Sequence, residues 1–314
     1  MQTIAILGAN GRLSNMVARA FHLAGYRVIA VTRKGLAKGL AADVEQRSAD
    51  AMDRQALIHA TRGADIIFNG LNPQYTEWNK YVLPMGENVI AAAQAHGALH
   101  LFPGNVYNYG RSIPALVGDS TPREDSTRKG CIRNRLERLF RDRSLETGVQ
   151  TVIVRAGDFY GGKITGSWFD LFITARLAKG KFTYPGPFDL VHSWAYLPDL
   201  AETFVQVAGQ ADDLSGFEEF LFPGHSMTGD ELMHHCGTAS GRELRRASVP
   251  WPLLRLGGLV VPILREVCEM SYLWRRPHRL DGTKLEMLLG SIPNTRPEAA
   301  VAAAIRDLGI ETGR

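Results

Sequence analysis

The chain has 314 residues, 45% hydrophobic and 22% charged, with a formal net charge of +4. That length accommodates one large domain or two coupled ones around a sizeable core. The composition is that of an ordinary globular protein, and its mild, scattered basic excess speaks against a nucleic-acid module.

Three cysteines, Cys131, Cys236 and Cys268, show no CxxC spacing. This argues against a disulfide framework or a zinc site and fits a reducing, cytoplasmic setting. Adjacent His234 and His235 diverge on a helix, so no metal site is expected there. The cluster Arg275, Arg276, His278 and Arg279 reads as a solvated face. The N-terminus carries no basic n-region and reads directly as a strand, not as a signal peptide.

In chain order, Thr3–Leu7 is an apolar run ending at Gly8, and Arg12–Leu23 has helical periodicity. Strands are expected at 27–31, weakly at 44–46, at 64–68, 99–102 and 151–155. Helices are expected at 54–61, 78–96 and 132–146. Continuous apolar strands alternating with helices imply βαβ units and a parallel sheet covered on both faces. The expected fold class is therefore α/β, a Rossmann-type doubly wound sheet with a smaller, mostly helical C-terminal lobe. Residues 1–160, with returning elements around 190–222, form the dinucleotide domain; residues 161–314 form the substrate lobe. In the second half, helices at 197–209 and 229–238 flank a strand at 217–221. The stretch from Leu253 to Leu264 is too short to span a bilayer and contains Arg255. It reads as a packed helix, with a peripheral membrane contact as the lesser alternative.

The first strand leads into Gly8-Ala9-Asn10-Gly11-Arg12-Leu13-Ser14. Gly8 permits a tight turn, Gly11 lets the backbone approach a pyrophosphate, and the helix opening at Arg12 directs free N–H groups at it. Ser14 stands where a third glycine is usual, and is small enough for close helix–strand packing. After the second strand come Arg33 and Lys34, where an NAD site tends to carry an acid. A guanidinium suits a 2′-phosphate, so NADP(H) is expected over NAD(H). Asp50 reads either as a group facing the adenine or as the cap of the next helix.

These segments resemble the extended and atypical short-chain dehydrogenase/reductase superfamily, the NAD-dependent epimerase/dehydratase group. The resemblance also rests on Asp65–Gly70, Asn105–Gly110, Val154–Gly161, His192–Ala201 and the tail from Asp281. It implies a dinucleotide site including Gly8, Asn10, Gly11, Arg12, Leu13, Arg33, Lys34, Asp50, Gly70, Leu71, Pro103, Arg133, Ala156 and Phe159. It implies a small-molecule substrate, a carbonyl or alcohol with sugar derivatives among the candidates, and dimerisation through two helices. No nucleic-acid partner or integral membrane contact is expected.

The superfamily's Tyr-x-x-x-Lys pair is altered. The best match is Lys129-Gly130-Cys131-Ile132-Arg133, with Lys129 at the tyrosine position and Arg133 at the lysine position; Phe102-Pro103 replace the Ser/Thr pair. Arg133 suits a ribose or phosphate but is a poor proton donor. Lys129 or Tyr107 is left to handle the proton, and Asn105 to orient a carbonyl. Tyr109 is a further acid in the same loop. Tyr75 and Trp78 read either as substrate-stacking rings or as a helix entry capped by Thr76. By the same resemblance Asp158, Tyr160, His192 and Trp194 read either as the border of the substrate cavity or as lobe-to-lobe packing. Two readings stay open: an NADP(H)-dependent oxidoreductase or epimerase-like enzyme, and an NADP(H)-binding redox sensor without turnover.

Overall fold

The computed structural model describes residues 1–310. The apolar runs at Thr3–Leu7 (β1) and Arg27–Thr32 (β2) pair in parallel, with Arg12–Leu23 (α1) as the first crossover, and the polar edge strand Glu45–Ser48 (β3) pairs in parallel with β2. Arg54–Ala60 (α2) leads to Ile66–Asn69 (β4), and Trp78–His96 (α3) to Leu99–Gly104 (β5). A short strand at Leu116–Val117 (β6) precedes Arg128–Thr147 (α4), which returns the chain to Thr151–Arg155 (β7). Asp158–Tyr160 (β8), Lys181–Tyr184 (β9) and Val191–Tyr196 (β10) lie outside the main sheet. Leu197–Gly209 (α5) then feeds Phe217–Leu221 (β11), the last strand of the main sheet.

The main sheet runs β11-β7-β5-β4-β1-β2-β3, all parallel. Its order reverses between β1 and β4, and ligands of open α/β sheets bind outside the strand ends at such a point. Leu57, Val89, Leu136 and Phe140 from α2, α3 and α4 cover one face. Val17, Phe21, Leu200 and Phe204 from α1 and α5 cover the other. Burial on both sides explains why the inner strands β1, β4 and β7 carry no alternation, whereas the edge strand β3 alternates between half-buried and exposed residues.

The rest of the chain builds a lobe. It contains His225–Thr228 (β12), Gly229–Ser240 (α6), Arg245–Ser248 (β13), Trp251–Gly257 (α7), Pro262–Glu269 (α8), Arg279–Leu280 (β14), Thr283–Leu289 (α9) and Pro297–Asp307 (α10). Small sheets β12-β10-β8 and β13-β9 surround an aromatic core that includes Tyr160, Tyr184, Trp194 and Trp274, while β14-β6 packs through Val117 and Leu280 into the core on the α2–α4 side of the main sheet.

Three sequence expectations are corrected. α4 begins at Arg128, a turn before the expected Ile132, because Thr127 caps it by accepting from the Gly130 N–H at 3.0 Å; its first turn is polar and gave no periodic signal. The stretch from Leu253 to Leu264 is not one packed helix. It breaks after Gly257 into α7 and α8, and most of its large apolar side chains are exposed. His278 is not on a solvated face: it is buried, while Arg275, Arg276 and Arg279 around it are exposed.

Candidate dinucleotide and substrate site

The glycine turn sits at the β1–β4 switch point. Gly8 has φ +67°, a left-handed conformation that disfavours a Cβ, and its N–H donates to Val31 O at 3.0 Å. Gly11 caps α1 and donates to Gly8 O at 2.8 Å. Buried Ser14 faces Gly70: a Cβ on Gly70 would lie 2.0 Å from Ser14 Oγ. The hydroxymethyl at the usual third-glycine position is thus accommodated by a glycine on the neighbouring strand end.

Around the turn, the Asn10 amide spans the 36–38 loop: its Nδ2 donates to Leu36 O at 2.8 Å and its Oδ1 accepts from Lys38 N at 3.0 Å. Asn15 donates to Lys38 O at 2.9 Å. These bonds fix the loop that carries Arg33 and Lys34, both of which are exposed. Leu13 is buried in the core. Arg12 reaches across to the lobe, with one Nη 3.2 Å from Asp170 Oδ1 and 3.2 Å from Gly161 O. Its Nε is buried without a partner among the described residues. Burial pulls the Arg12 pKa down, and the Asp170 charge opposes that fall. Asp50 is exposed and accepts from Met52 N at 2.9 Å; the cap of α2 is Asp53, which accepts from Ala56 N at 3.0 Å. Leu71 follows Gly70 at the rim, its N–H 3.4 Å from Asn69 Oδ1.

Below this turn, Arg133 projects from α4. It is buried, and its guanidinium lies 4.7 Å from the Trp78 ring and 5.2 Å from that of Phe102. Arg133 Nε has no hydrogen-bond partner among the described residues. The adjacent carboxylate, Glu137, pairs with Arg155 at 2.7 Å. Burial drives the Arg133 pKa down, with Glu137 opposing. Asn69, Leu71, Asn72, Pro73, Phe102 and Arg133 line a small cavity that links the end of β4 to α4. Pro103 sits beside Phe102 at the end of β5. Arg155 is absorbed by Glu137 at 2.7 Å, Glu219 at 2.9 Å, Asn108 at 2.8 Å and the Asn105 carbonyl. It holds the loop after β5, and Ala156 N donates to Gly104 O at 3.2 Å next to it.

That loop carries Tyr107. Asn105 Oδ1 accepts from the Tyr107 N–H at 3.0 Å and so orders the turn. Asn108 donates to Asn134 Oδ1 at 2.7 Å and ties the loop to α4. The hydroxyls of Tyr107 and Tyr75 are 2.9 Å apart. Burial raises the Tyr107 pKa well above the usual phenol value, and Tyr75 and Asp158 add to the rise. Burial likewise raises Tyr109, which lies beneath the Arg155 and Arg123 guanidinia. Trp78 is buried and donates from Nε1 to Pro73 O at 3.0 Å; it belongs to the helix entry, although Thr76 does not cap it.

Lys129 is 1% exposed, and its Nζ lies 2.5 Å from Glu266 and 2.7 Å from Glu269, both on α8. Both carboxylates accept from the ammonium, which also lies 5.0 Å from the Tyr75 ring. Opposite, His192 Nε2 is 2.7 Å from Asp158 Oδ2, and its ring stacks on Trp274 at 4.1 Å and 6°. Tyr160 is bonded to His225 at 2.6 Å, and His225 in turn to Thr295 O at 2.6 Å, so this hydroxyl is committed within the lobe. Phe159 is half-buried against the core formed by α1 and α5.

The profile of the NmrA-like family matches residues 1–275. The chain belongs to the NmrA-like family. A 2-alkyl-3-oxoalkanoate reductase of Stenotrophomonas maltophilia (strain K279a) is 30% identical over 128 residues, which are 38% of this chain and 39% of that protein; the match thus spans about two fifths of the relative's length. UDP-glucose 4-epimerase of Thermotoga maritima, solved with UDP-glucose, superposes with TM-score 0.78 at 14% identity, covering 98% of this chain and 99% of that one. The Bifidobacterium longum enzyme, solved with NAD+ and UDP, gives 0.74 at 18% identity, with 98% of each chain covered. At these identities the superpositions establish the fold, that of NAD-dependent epimerases. Family and fold agree with the resemblance read from the sequence.

Lys129's two partners, Arg12's partner Asp170, and the Trp274 and His278 rings packed on His192 were not read from the sequence. Each is supplied from the lobe, far along the chain. One local signal existed for the first pair: Glu266 and Glu269 are one turn apart, so they face the same side of α8.

Proposed function

We propose that this NmrA-like protein is an NADP(H)-dependent oxidoreductase or epimerase-like enzyme acting on a small carbonyl compound or its alcohol, sugar derivatives included. NAD(H) is the weaker cofactor in this reading. Residues 1–160, with the elements around 190–222, hold the dinucleotide, and residues 161–314 supply the substrate lobe. The reductase name of the Stenotrophomonas relative supports a carbonyl substrate.

The observation that carries the proposal is the buried Arg133, unpaired among the described residues. A buried cation without a carboxylate is costly, and this one borders the cavity running from the β4 end to α4. An anionic or hydroxyl-rich ligand there would relieve that cost. Arg12, with its own unpartnered Nε at the α1 N-terminus, supports a pyrophosphate beside Gly8 and Gly11. Arg33 and Lys34 supply charge for a 2′-phosphate. When bound, the nicotinamide exchanges hydride with a substrate carbon. The chain's own part is to hold that carbon and move a proton. Tyr107, hydrogen-bonded to Tyr75, is the proton donor in this reading, and Asn105 keeps its loop in place. Asp158 on β8 and His192 on β10 border the substrate in this reading.

The second reading, a dinucleotide-binding sensor without turnover, is favoured by Lys129: a lysine gripped by two carboxylates is a poor replacement for the superfamily's tyrosine. Calorimetric titration with NADPH, NADP+, NADH and NAD+ tests the common part. NADPH is expected to bind better than NADH, Arg33→Ala to abolish the difference, and Arg133→Leu to weaken all four. If none of the four binds, both readings fall. Tight binding with no deuterium transfer from labelled NADPH to a panel of carbonyl compounds favours the sensor.

A further inference from the structure

The base of the α7–α8 hairpin packs on the lobe's core through Trp251, Leu254 and Val267, but its tip serves neither that core nor the dinucleotide cleft. Leu253, Leu256, Leu259, Val260, Val261 and Ile263 are exposed on it, Leu259 and Val260 to 82% and 84%. These side chains are held outward by an ordered turn, not left on a loose loop. Val260 and Val261 both donate to Gly257 O, at 3.1 and 2.8 Å. At the base, Trp251 Nε1 donates to Pro185 O at 2.7 Å, and Glu266 and Glu269 grip Lys129. A contiguous apolar projection of this kind marks a surface that is covered in use.

The charges around it select what covers it. Arg255 and Arg265 on the hairpin are exposed, as are Arg128 and Arg135 on the adjoining turn of α4. The carboxylates of α8 are turned inward, so the fringe is positive. Beside the hairpin lies a groove of about 550 Å³, rimmed by Arg128, Arg135 and Arg265 and floored by Tyr75, Cys131 and Ile132. Of the two carboxylates lining it, Asp125 lies 3.7 Å from Arg138, and buried Glu266 pairs with Lys129 and Arg128 and lies 3.7 Å from Arg265. Among the described residues, this leaves Arg135 and Arg255 as the unopposed charges of the fringe. A second copy docked about a two-fold axis would set these arginines against their own kind.

We propose that this face docks on an anionic lipid bilayer. The Leu259-Val260-Val261 tip enters the acyl boundary, and the arginine-rimmed groove lies against the headgroup phosphates. The inference does not rest on the proposed cofactor chemistry, although the groove also takes in Tyr75, Trp78 and Lys129 of the candidate site.

The test is co-sedimentation of the full chain with vesicles of phosphatidylcholine alone and of phosphatidylcholine mixed with phosphatidylglycerol. Binding is expected to the mixed vesicles only, and to weaken as salt is raised. Arg255→Gln and Arg265→Gln should each weaken it roughly fivefold, and Leu259→Asp by about tenfold or more. Because these side chains are exposed, the thermal midpoints of the variants should match the parent. Failure of the parent to sediment with mixed vesicles overturns the proposal. So does a dimer in solution that Leu259→Asp dissociates, since the tip would then be an interface between copies. Retained binding by Leu259→Asp refutes insertion of the tip.

Discussion

Replacing Lys129 with methionine separates a structural lysine from a catalytic one. The ammonium is buried and held by Glu266 at 2.5 Å and Glu269 at 2.7 Å. Removing it leaves two carboxylates facing each other in a site that is 6% and 12% exposed at their side chains. Breaking a buried pair this way costs about 3–5 kcal/mol. Glu266 keeps Arg128 as a partner, which places the expected loss near the lower end, about 3 kcal/mol. The assay is urea unfolding followed by tryptophan fluorescence, read as a lower midpoint at unchanged slope. The triple variant Lys129→Met/Glu266→Gln/Glu269→Gln should recover most of the loss, because neutral amides no longer require a cation. If Lys129→Met unfolds at the parent midpoint while turnover is abolished, the reasoning is refuted: the lysine would then be an acid and the ion pair incidental.

Two further outcomes are expected. Gly70→Ala places a Cβ 2.0 Å from Ser14 Oγ and should cost about 1–3 kcal/mol by overpacking; Ser14→Gly should restore much of the thermal midpoint, and absence of rescue would show that the clash lies elsewhere. His100 and His278 have their pKa values pushed down to about 3 by burial. The unfolded chain takes up these protons near pH 6.5. The stabilising contribution of each neutral ring is therefore complete above that pH and is lost as the pH falls toward 3, amounting to about 2 kcal/mol per histidine near pH 5. Urea midpoints of the parent and His100→Asn at neutral and acid pH check the sign: the variant's acid sensitivity should be smaller, and an identical pH difference would contradict it.

Local signals in the sequence determined the dinucleotide-type core. Apolar runs without alternation specify strands buried on both faces, and Gly8 and Gly11 between a strand and a helix specify the turn. The ends of β1, α1, α3, β7, α5 and β11 were therefore legible to the residue. The strands of the lobe were not, because they are short, carry mixed side chains and pair with distant partners. Val191–Tyr196, for instance, takes its place from β8 and β12. Leu253–Leu264 reads as buried from its hydropathy, yet the break after Gly257 turns most of its apolar side chains away from the core, which only Leu254 reaches. The altered Lys129/Arg133 motif shows the same division. The residue types were plain in the sequence and indicated that the usual tyrosine was missing. Only the tertiary structure decided that Lys129 is neutralised by two glutamates from 137 and 140 residues away while Arg133 has no carboxylate partner among the described residues. The charge state and availability of a buried cation depend on what the fold brings within hydrogen-bond reach, and those partners came from a helix that sequence proximity does not connect to it.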